Sequence, residues 1–500
     1  MGKFSDKLVK GTLYSFISIV GVNILTLIFS VILARMLVNI YDTPEEGIEY
    51  LGIFSLLREL GQIVLPLLML GISTALAKFI PEYQAKKQKK LNSLVNTSLT
   101  LVCLSAVIGG IVYFIFSDVI AIHIFDTPLL GTMMKINTLY IIFTVIITTI
   151  LGVVQGFQKI KLLAQLNFFS VMLSIPLLIV FVYWFGIIGA IITGVINTMI
   201  FLIIVAYIFR ILLKAEKLSF KFKMDRPVLN DLLKFSTPVI LSVIILKPAY
   251  LFVRAYLAVA TDWITVGYYK IGVTFFGLIL FIPAAISVPL IPMISELDTR
   301  APELRAALIS RIIKIGMFVI LPISILLGLL SEFFIWLLFG PEYLPAAEIT
   351  MLMVMAAMIS SFFSIVSSIM VGTGKTLQLL YIDIVHSIIF VILTFILINE
   401  YGLMGLGWTL LIVPIIIIGP YIYYLYKNDY IHLKPVGEAL FVTAFFITMA
   451  LMTHLYWQPY LYVMLPAILI PMIIIEYRLL TDRDKLLMKE WIEKIKGKLR

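Results

Sequence analysis

The sequence predicts an all-α polytopic membrane protein: about fourteen transmembrane helices, built as two six-helix parallel-repeat lobes around a central cavity, plus two C-terminal helices. Three observations predict it. The 500 residues are 62% hydrophobic and only 13% charged, with a mean hydropathy of +1.09. That is more apolar surface than a water-soluble chain of this length can hide. Apolar runs of about 20 residues recur from end to end, each long enough to cross roughly 30 Å of hydrocarbon as a helix. Short motifs also recur at a shared offset close to 216 residues. The alternating ten-residue segments of a membrane barrel are absent from the sequence.

The first run, GTLYSFISIVGVNILTLIFSVILARML, is too long for a signal-peptide core and carries no small-residue cleavage site. It reads as an uncleaved span at about 12–38. Spans at about 50–77, 92–116, 132–155, 163–184 and 187–209 complete a first lobe, 1–213. A basic linker, 214–230, leads to spans at 235–260, 265–292, 308–330, 346–371, 377–398 and 403–426, a second lobe over 231–428. Spans at 438–457 and 459–477 form an additional pair (429–477). The basic tail 478–500 reads equally as an amphipathic surface helix or a solvated helical end.

Charge orients these spans. Alternate connecting segments, starting with the N-terminus, hold 32 of the 38 Lys plus Arg residues. The opposite segments are acidic: Asp42, Glu45, Glu46 and Glu49, then Asp118 and Asp126, Asp262, Glu332 and Glu342, and Glu400. The positive-inside rule places both termini in the cytoplasm, and an even number of spans agrees. The net charge of +10 is therefore mainly a topology signal. No nucleic-acid partner is expected, because the basic segments flank spans and lack a binding fold.

The repeat is visible in several places. QGFQK (155–159) matches VGTGK (371–375), FGIIG (185–189) matches YGLMG (401–405), and Gly61 falls on Gly277. SDVIAIHIF (117–125) resembles SEFFIWLLF (331–339) at offset 214, and Arg35 falls over Arg254 at offset 219. Six spans per unit is an even number, so both copies enter the membrane in the same orientation. Parallel repeats of this kind enclose a central site and rock against one another.

Six basic residues fall outside the topology pattern. Lys135, at the outer end of a span, is placed to snorkel. The others are Arg35, Arg58, Lys247, Arg254 and Lys270. A charge at bilayer depth costs at least roughly 2.5–3.5 kcal/mol, so such residues usually mark function. Lys247, Tyr250 and Arg254 follow i, i+3, i+7 spacing and share one helical face. Arg254 lies about 10 Å beyond Lys247 along that helix. Span two carries Ser55, Glu59 and Gln62 as a polar stripe, with Arg58 alongside. Five cations thus face two intramembrane acids, Glu59 and Asp383. An excess of positive charge suits an anionic head group, with Arg able to grip phosphate bidentately and Lys acting as a point charge. The plainer reading is that Glu59 pairs with an arginine and that Arg254 and Lys270 snorkel outward.

Asp383 and His386 sit at i and i+3 in span eleven and fall, at offset 216, on Asn167 and Ser170. Two readings stand: a coupling site for H+ or Na+, with histidine titrating near neutrality, or hydrogen bonds between packed spans. Prolines within spans (Pro66, Pro176, Pro248, Pro283, Pro289, Pro322, Pro414 and Pro466) are candidate hinges. The lone Cys103 and four scattered histidines give no metal-ligand spacing, and no cofactor is expected.

The opening span ending in SVILARML, the segment YLGIFSLLRELGQIVLPLLMLGISTALAKFIPEY, the QGFQK and VGTGK turns, and LLFGPEYLPAAEI (337–349) together resemble the multidrug/oligosaccharidyl-lipid/polysaccharide exporter superfamily. The fourteen spans resemble its prokaryotic polysaccharide-biosynthesis (O-antigen-type) flippase branch rather than the twelve-span drug-extrusion branch. The resemblance implies a V-shaped, two-lobed fold whose cavity is lined by spans one, two, seven and eight. It implies a non-enzymatic transporter of the prokaryotic cytoplasmic membrane. The implied cargo is a polyprenyl-(di)phosphate-linked oligosaccharide, moved from the inner to the outer leaflet by alternating access for cell-surface polysaccharide or glycan biosynthesis. Membrane lipid is its other partner. A cation-coupled multidrug or organic-cation antiporter on the same fold is the alternative, favoured if Glu59 and Asp383 dominate the cavity. A membrane enzyme acting on the same lipids would need a catalytic constellation that the short loops lack. A channel would need a selectivity filter, and nothing here resembles one.

Overall fold

The computed structural model describes residues 2–86, 88–300, 302–373, 375–457 and 461–481; the side chains of 238–251 and of Arg254 are among those it leaves undescribed. The described residues are helical, without a strand. By compactness the chain divides into Met1–Lys270 and Ile271–Arg500.

The first unit holds α1 (Gly2–Ile40), α2 (Pro44–Met69), α3 (Ile72–Lys86), α4 (Gln88–His123), α5 (Pro128–Gly156), α6 (Ile160–Ala215), α7 (Arg226–Ala260) and the start of α8 (Trp263–Arg300). The second continues α8 and adds α9 (Pro302–Leu329), α10 (Ser331–Leu338), a 3-10 turn at Pro341–Ala346, α11 (Ala347–Gly372), α12 (Thr376–Lys427), α13 (Leu433–Trp457) and α14 (Leu461–Leu479). Among the described residues ten helical segments are long and apolar enough to cross a membrane. Two of them are double: Lys161–Ala215 and Leu377–Lys427 have 55 and 51 residues, about twice the roughly 20 a bilayer needs. With α7 and α14 they make the fourteen crossings expected from the sequence.

The doubled helices α6 and α12 are hairpins without loops. Each turns on one residue outside helical geometry, Gly186 (φ 55°, ψ −137°) and Gly402 (φ 55°, ψ −131°). Only glycine adopts that region without strain. Beyond each elbow the second arm returns against the first. A Cβ on Gly189 would fall on the Phe181 carbonyl oxygen, and one on Gly405 on the Leu397 carbonyl oxygen. Thr193 and Thr409 then donate to the carbonyls of Gly189 and Gly405, each at 2.8 Å. Every member of this set has its counterpart 216 residues later. The turn ahead of each hairpin repeats too: Lys159 N–H reaches the Val154 carbonyl (3.2 Å), and Lys375 N–H the Met370 carbonyl (2.8 Å). The internal repeat is thus present in backbone detail.

Three sequence expectations are corrected. Span two is broken, because Leu70 (φ 50°) and Gly71 (φ 63°) are both left-handed and separate α2 from α3. The bends within α6 and α12 lie at glycines, while Pro176 and Pro414 sit inside their helices. Lys135 does not simply snorkel: its Nζ meets Asp118 Oδ2 at 2.6 Å, joining α5 to α4.

The hubs are repeat equivalents. In the first unit α5 packs on α3, α4 and α6; in the second, α11 packs on α9 and α12. Residues 349–359 of α11 are buried on every side, as expected for a helix apolar all round. By contrast α4 keeps Leu104, Ile108, Ile111, Ile115 and Val119 exposed at helical spacing, a lipid-facing stripe. The pair α13 and α14 docks on α9 through the buried Lys314, whose Nζ donates to Glu438 Oε2 (2.6 Å) and to the Leu479 carbonyl (2.8 Å).

The elbow of α6 has an external clasp. Tyr41, just past α1, accepts from Ile187 N–H at 2.9 Å through its phenol oxygen. That N–H opens the second arm and would otherwise lack a partner, as first-turn amides do. Burial pushes the Tyr41 phenol up, the Ile187 N–H pulls it back and Glu46 raises it again. Tyr41→Phe is expected to cost about 1–3 kcal/mol, the penalty for an unsatisfied buried donor. Thermal unfolding of the purified protein followed by circular dichroism checks this.

Candidate functional site

The first cluster of predicted residues lies in the first unit. Thr43 starts α2 by accepting from Glu46 N–H (3.3 Å), with Pro44 as the first helical residue and Glu45 and Glu46 in the first turn. This start sets the register that follows. About three turns into the helix Ser55 is buried, Glu59 is half-buried, and Arg58 and Gln62 are exposed. Ser55 therefore separates from the rest of the predicted stripe, and Arg58 and Gln62 share the exposed side. The Arg58 guanidinium lies over the Tyr140 ring of α5, 5.3 Å from its centroid. Among the described residues it has no carboxylate partner. An arginine held on an aromatic face keeps its hydrogen-bonding fork available.

Arg35 is exposed on α1, and its carbonyl accepts from Asn39 Nδ2 at 2.6 Å. Lys270 is half-buried on α8. Both, like Glu59, engage other groups. Lys247, Tyr250 and Arg254 belong to α7, but their side chains lie outside the described residues. The helix α7 itself packs against α2.

The second cluster lies in the α12 hairpin. The Tyr421 hydroxyl on the second arm donates to Asp383 Oδ1 on the first at 2.9 Å. Ser387 donates to the Asp383 carbonyl at 2.9 Å, and Phe363 of α11 packs on the Tyr421 ring at 5.1 Å between centroids. His386 stacks on Phe390 (6.0 Å, 11° between planes). In the α6 hairpin Asn197 Nδ2 approaches Ser170 Oγ at 3.5 Å, while Asn167 is exposed. Both hairpins therefore carry a polar contact between their arms. Asp383 and His386 are not joined to the Arg58 cluster within one unit. Among the described residues no group of His, Cys, Asp and Glu is arranged to hold a metal.

Tyr140 and Tyr421 were not singled out in the sequence. Each is one of 24 tyrosines in an apolar run, and only tertiary pairing shows what it holds.

The family model described as "Polysaccharide biosynthesis protein" matches residues 8–298, more than half of the chain. No curated protein sequence matches it. Solved structures do. A structure described as "Lipid II flippase MurJ, inward closed conformation" superposes with a TM-score of 0.71 at 16% identity, covering 94% of this chain and 99% of that one. An inward-facing multidrug resistance MATE family transporter of the MOP superfamily gives 0.67 at 15% identity, covering 82% and 94%. A MOP superfamily transporter from Pyrococcus furiosus, described as having a binding pocket of reverse polarity, gives 0.59 at 15% identity, covering 85% and 95%. The fold is that of these transporters. With its family model spanning α1 to α8, the chain belongs to the polysaccharide biosynthesis protein family.

Proposed function

We propose that the protein is a flippase that moves a polyprenyl-(di)phosphate-linked oligosaccharide from the inner to the outer leaflet by alternating access. The observation that carries this reading is Arg58, an exposed guanidinium within a transmembrane helix, oriented by Tyr140 and without a carboxylate partner among the described residues. Keeping such a charge at membrane depth is costly unless something anionic uses it. Family membership supports a role in polysaccharide biosynthesis, and the lipid II flippase shares the fold. On this reading Arg35, Arg58, Lys247, Arg254 and Lys270 contact the phosphates, with Tyr250 beside them. The lobes 1–213 and 231–428 move about the linker 214–230. The membrane is a prokaryotic cytoplasmic membrane with both chain termini inside. Asp383 and His386 couple transport to H+ or Na+, assisted by Glu59 and Asn167.

The test is binding in nanodiscs, with a polyprenyl-diphosphate oligosaccharide titrated against an organic cation. Arg58→Gln and the pair Lys247→Gln/Arg254→Gln are each expected to weaken lipid binding roughly tenfold to a hundredfold, the value of a charge-assisted hydrogen bond. Preferential binding of the organic cation, or lipid binding indifferent to both variants, overturns the reading in favour of an antiporter.

A further inference from the structure

The linker is fastened to the first unit in a patterned way. Ser219 N–H and Lys221 N–H, two residues apart, donate to Asn92 Oδ1 (2.9 Å) and Asn96 Oδ1 (3.1 Å), one turn apart on α4. Asp225 N–H then donates to Thr97 Oγ1 at 3.0 Å. Alternate amides facing α4 mark an extended strap, in which side chains alternate sides. Leu218, Ser219, Phe220 and Phe222 line one cavity, with Phe222 at its open rim and 73% exposed, while Lys217, Lys221 and Lys223 are exposed and do not line it. Phe220 and Phe222 meet edge to face at 4.9 Å.

The cavity has a volume of about 580 Å³, within the roughly 300–1,000 Å³ typical of small-ligand sites. Its walls are apolar side chains of α4, α5 and α6, including Leu99, Ile150 and Leu202. At its basic end stand Arg210 and Lys214, one turn apart on α6 and both exposed. Like charges at this spacing repel one another. Among the described residues neither has a carboxylate partner. Apolar walls below and two uncompensated cations at the membrane boundary match one kind of molecule, with acyl chains and an anionic head.

We propose that this cavity holds an anionic glycerophospholipid of the surrounding leaflet, its acyl chain against α4–α6 and its phosphate on Arg210 and Lys214. The strap 218–222 closes over the chain, so the bound lipid ties the linker between the repeats to the first unit. The site is separate from the Arg58 cluster and does not depend on what the protein transports.

Cys103 lines the cavity and is the single cysteine of the chain, so its alkylation reports occupancy there. Full-length protein in mild detergent is titrated with phosphatidylglycerol, phosphatidylcholine and polyprenyl monophosphate, and binding is read by native mass spectrometry. Alkylation of Cys103 by N-ethylmaleimide is followed in parallel. Phosphatidylglycerol is expected to bind in preference to phosphatidylcholine and to slow alkylation. Arg210→Gln/Lys214→Gln, at two exposed positions, is expected to weaken that binding about thirtyfold, the product of two basic contacts, and to remove the protection. Equal binding of the two phospholipids, unchanged affinity in the double variant, or alkylation indifferent to saturating phosphatidylglycerol overturns the proposal. Preference for polyprenyl monophosphate with protection of Cys103 also overturns it, by assigning the cavity to a cargo-type lipid.

Discussion

Gly186→Ala is expected to destabilise the protein substantially more than Gly402→Ala, although the two glycines have nearly the same backbone angles. At φ 55° a non-glycine residue carries strain of about 1–3 kcal/mol, and both variants incur it. Their surroundings differ. A Cβ on Gly402 meets nothing within 4 Å, whereas one on Gly186 would fall on the Tyr41 hydroxyl. Alanine at 186 therefore pushes the phenol away from Ile187 N–H and adds the loss of that hydrogen bond, about 1–3 kcal/mol more. A double-mutant cycle with Tyr41→Phe separates the two effects. Phenylalanine removes the clashing oxygen, so Gly186→Ala should cost less in that background than in the native one. Unfolding free energies in mixed micelles give the numbers. Equal costs for the two glycine variants would show that Tyr41 does not clasp the elbow.

Lys314→Met is the second large effect. The Lys314 side chain is only 6% exposed and that of Glu438 27%, so the ion pair is largely withdrawn from solvent. Removing one partner of a buried pair typically costs 3–5 kcal/mol, because the other charge stays behind. The partial exposure of Glu438 moves the expectation to about 3 kcal/mol. The Leu479 carbonyl also loses its donor, so the damage concentrates where α14 meets α9. Lys314→Met/Glu438→Leu should recover much of the loss by removing both charges together. Hydrogen exchange localised to α13 and α14 would read the effect directly. Exchange spread evenly over the chain would argue against a local clamp.

Much of this architecture was legible in the sequence because membranes impose simple rules. Apolar run length located the crossings, and FGIIG and YGLMG marked the later elbows. What the runs concealed was the connection: 163–184 and 187–209 read as two spans with a loop, while the backbone passes between them through Gly186 alone. The break at Leu70–Gly71 was hidden because leucine is rarely left-handed, and no pattern in LLMLGIS announces it. For the sites, charge was legible and partnership was not. Lys135 and Lys314 looked like interface cations until Asp118 and Glu438 appeared beside them. Lys314 had been absorbed into the basic bias read as a topology signal, whereas it is a buried residue paired with Glu438. Asp383 was visible as an intramembrane acid, but its Tyr421 partner depends on how the α12 hairpin closes.

The loopless elbows also bear on how the protein is made. A span that enters the bilayer alone must carry a polar tail across or leave one behind. The FGIIG and YGLMG turns provide no such segment, so neither arm of α6 or α12 has a free end to translocate. The two arms of each pair are therefore expected to enter the bilayer together as a hairpin, with both ends on the same side. Insertion in pairs keeps parity fixed, so an ancestral six-span gene could be duplicated in tandem without inverting the second copy. An epitope or protease site introduced at 186 or 402 would separate the arms and should be lost during biogenesis, before any question of transport arises.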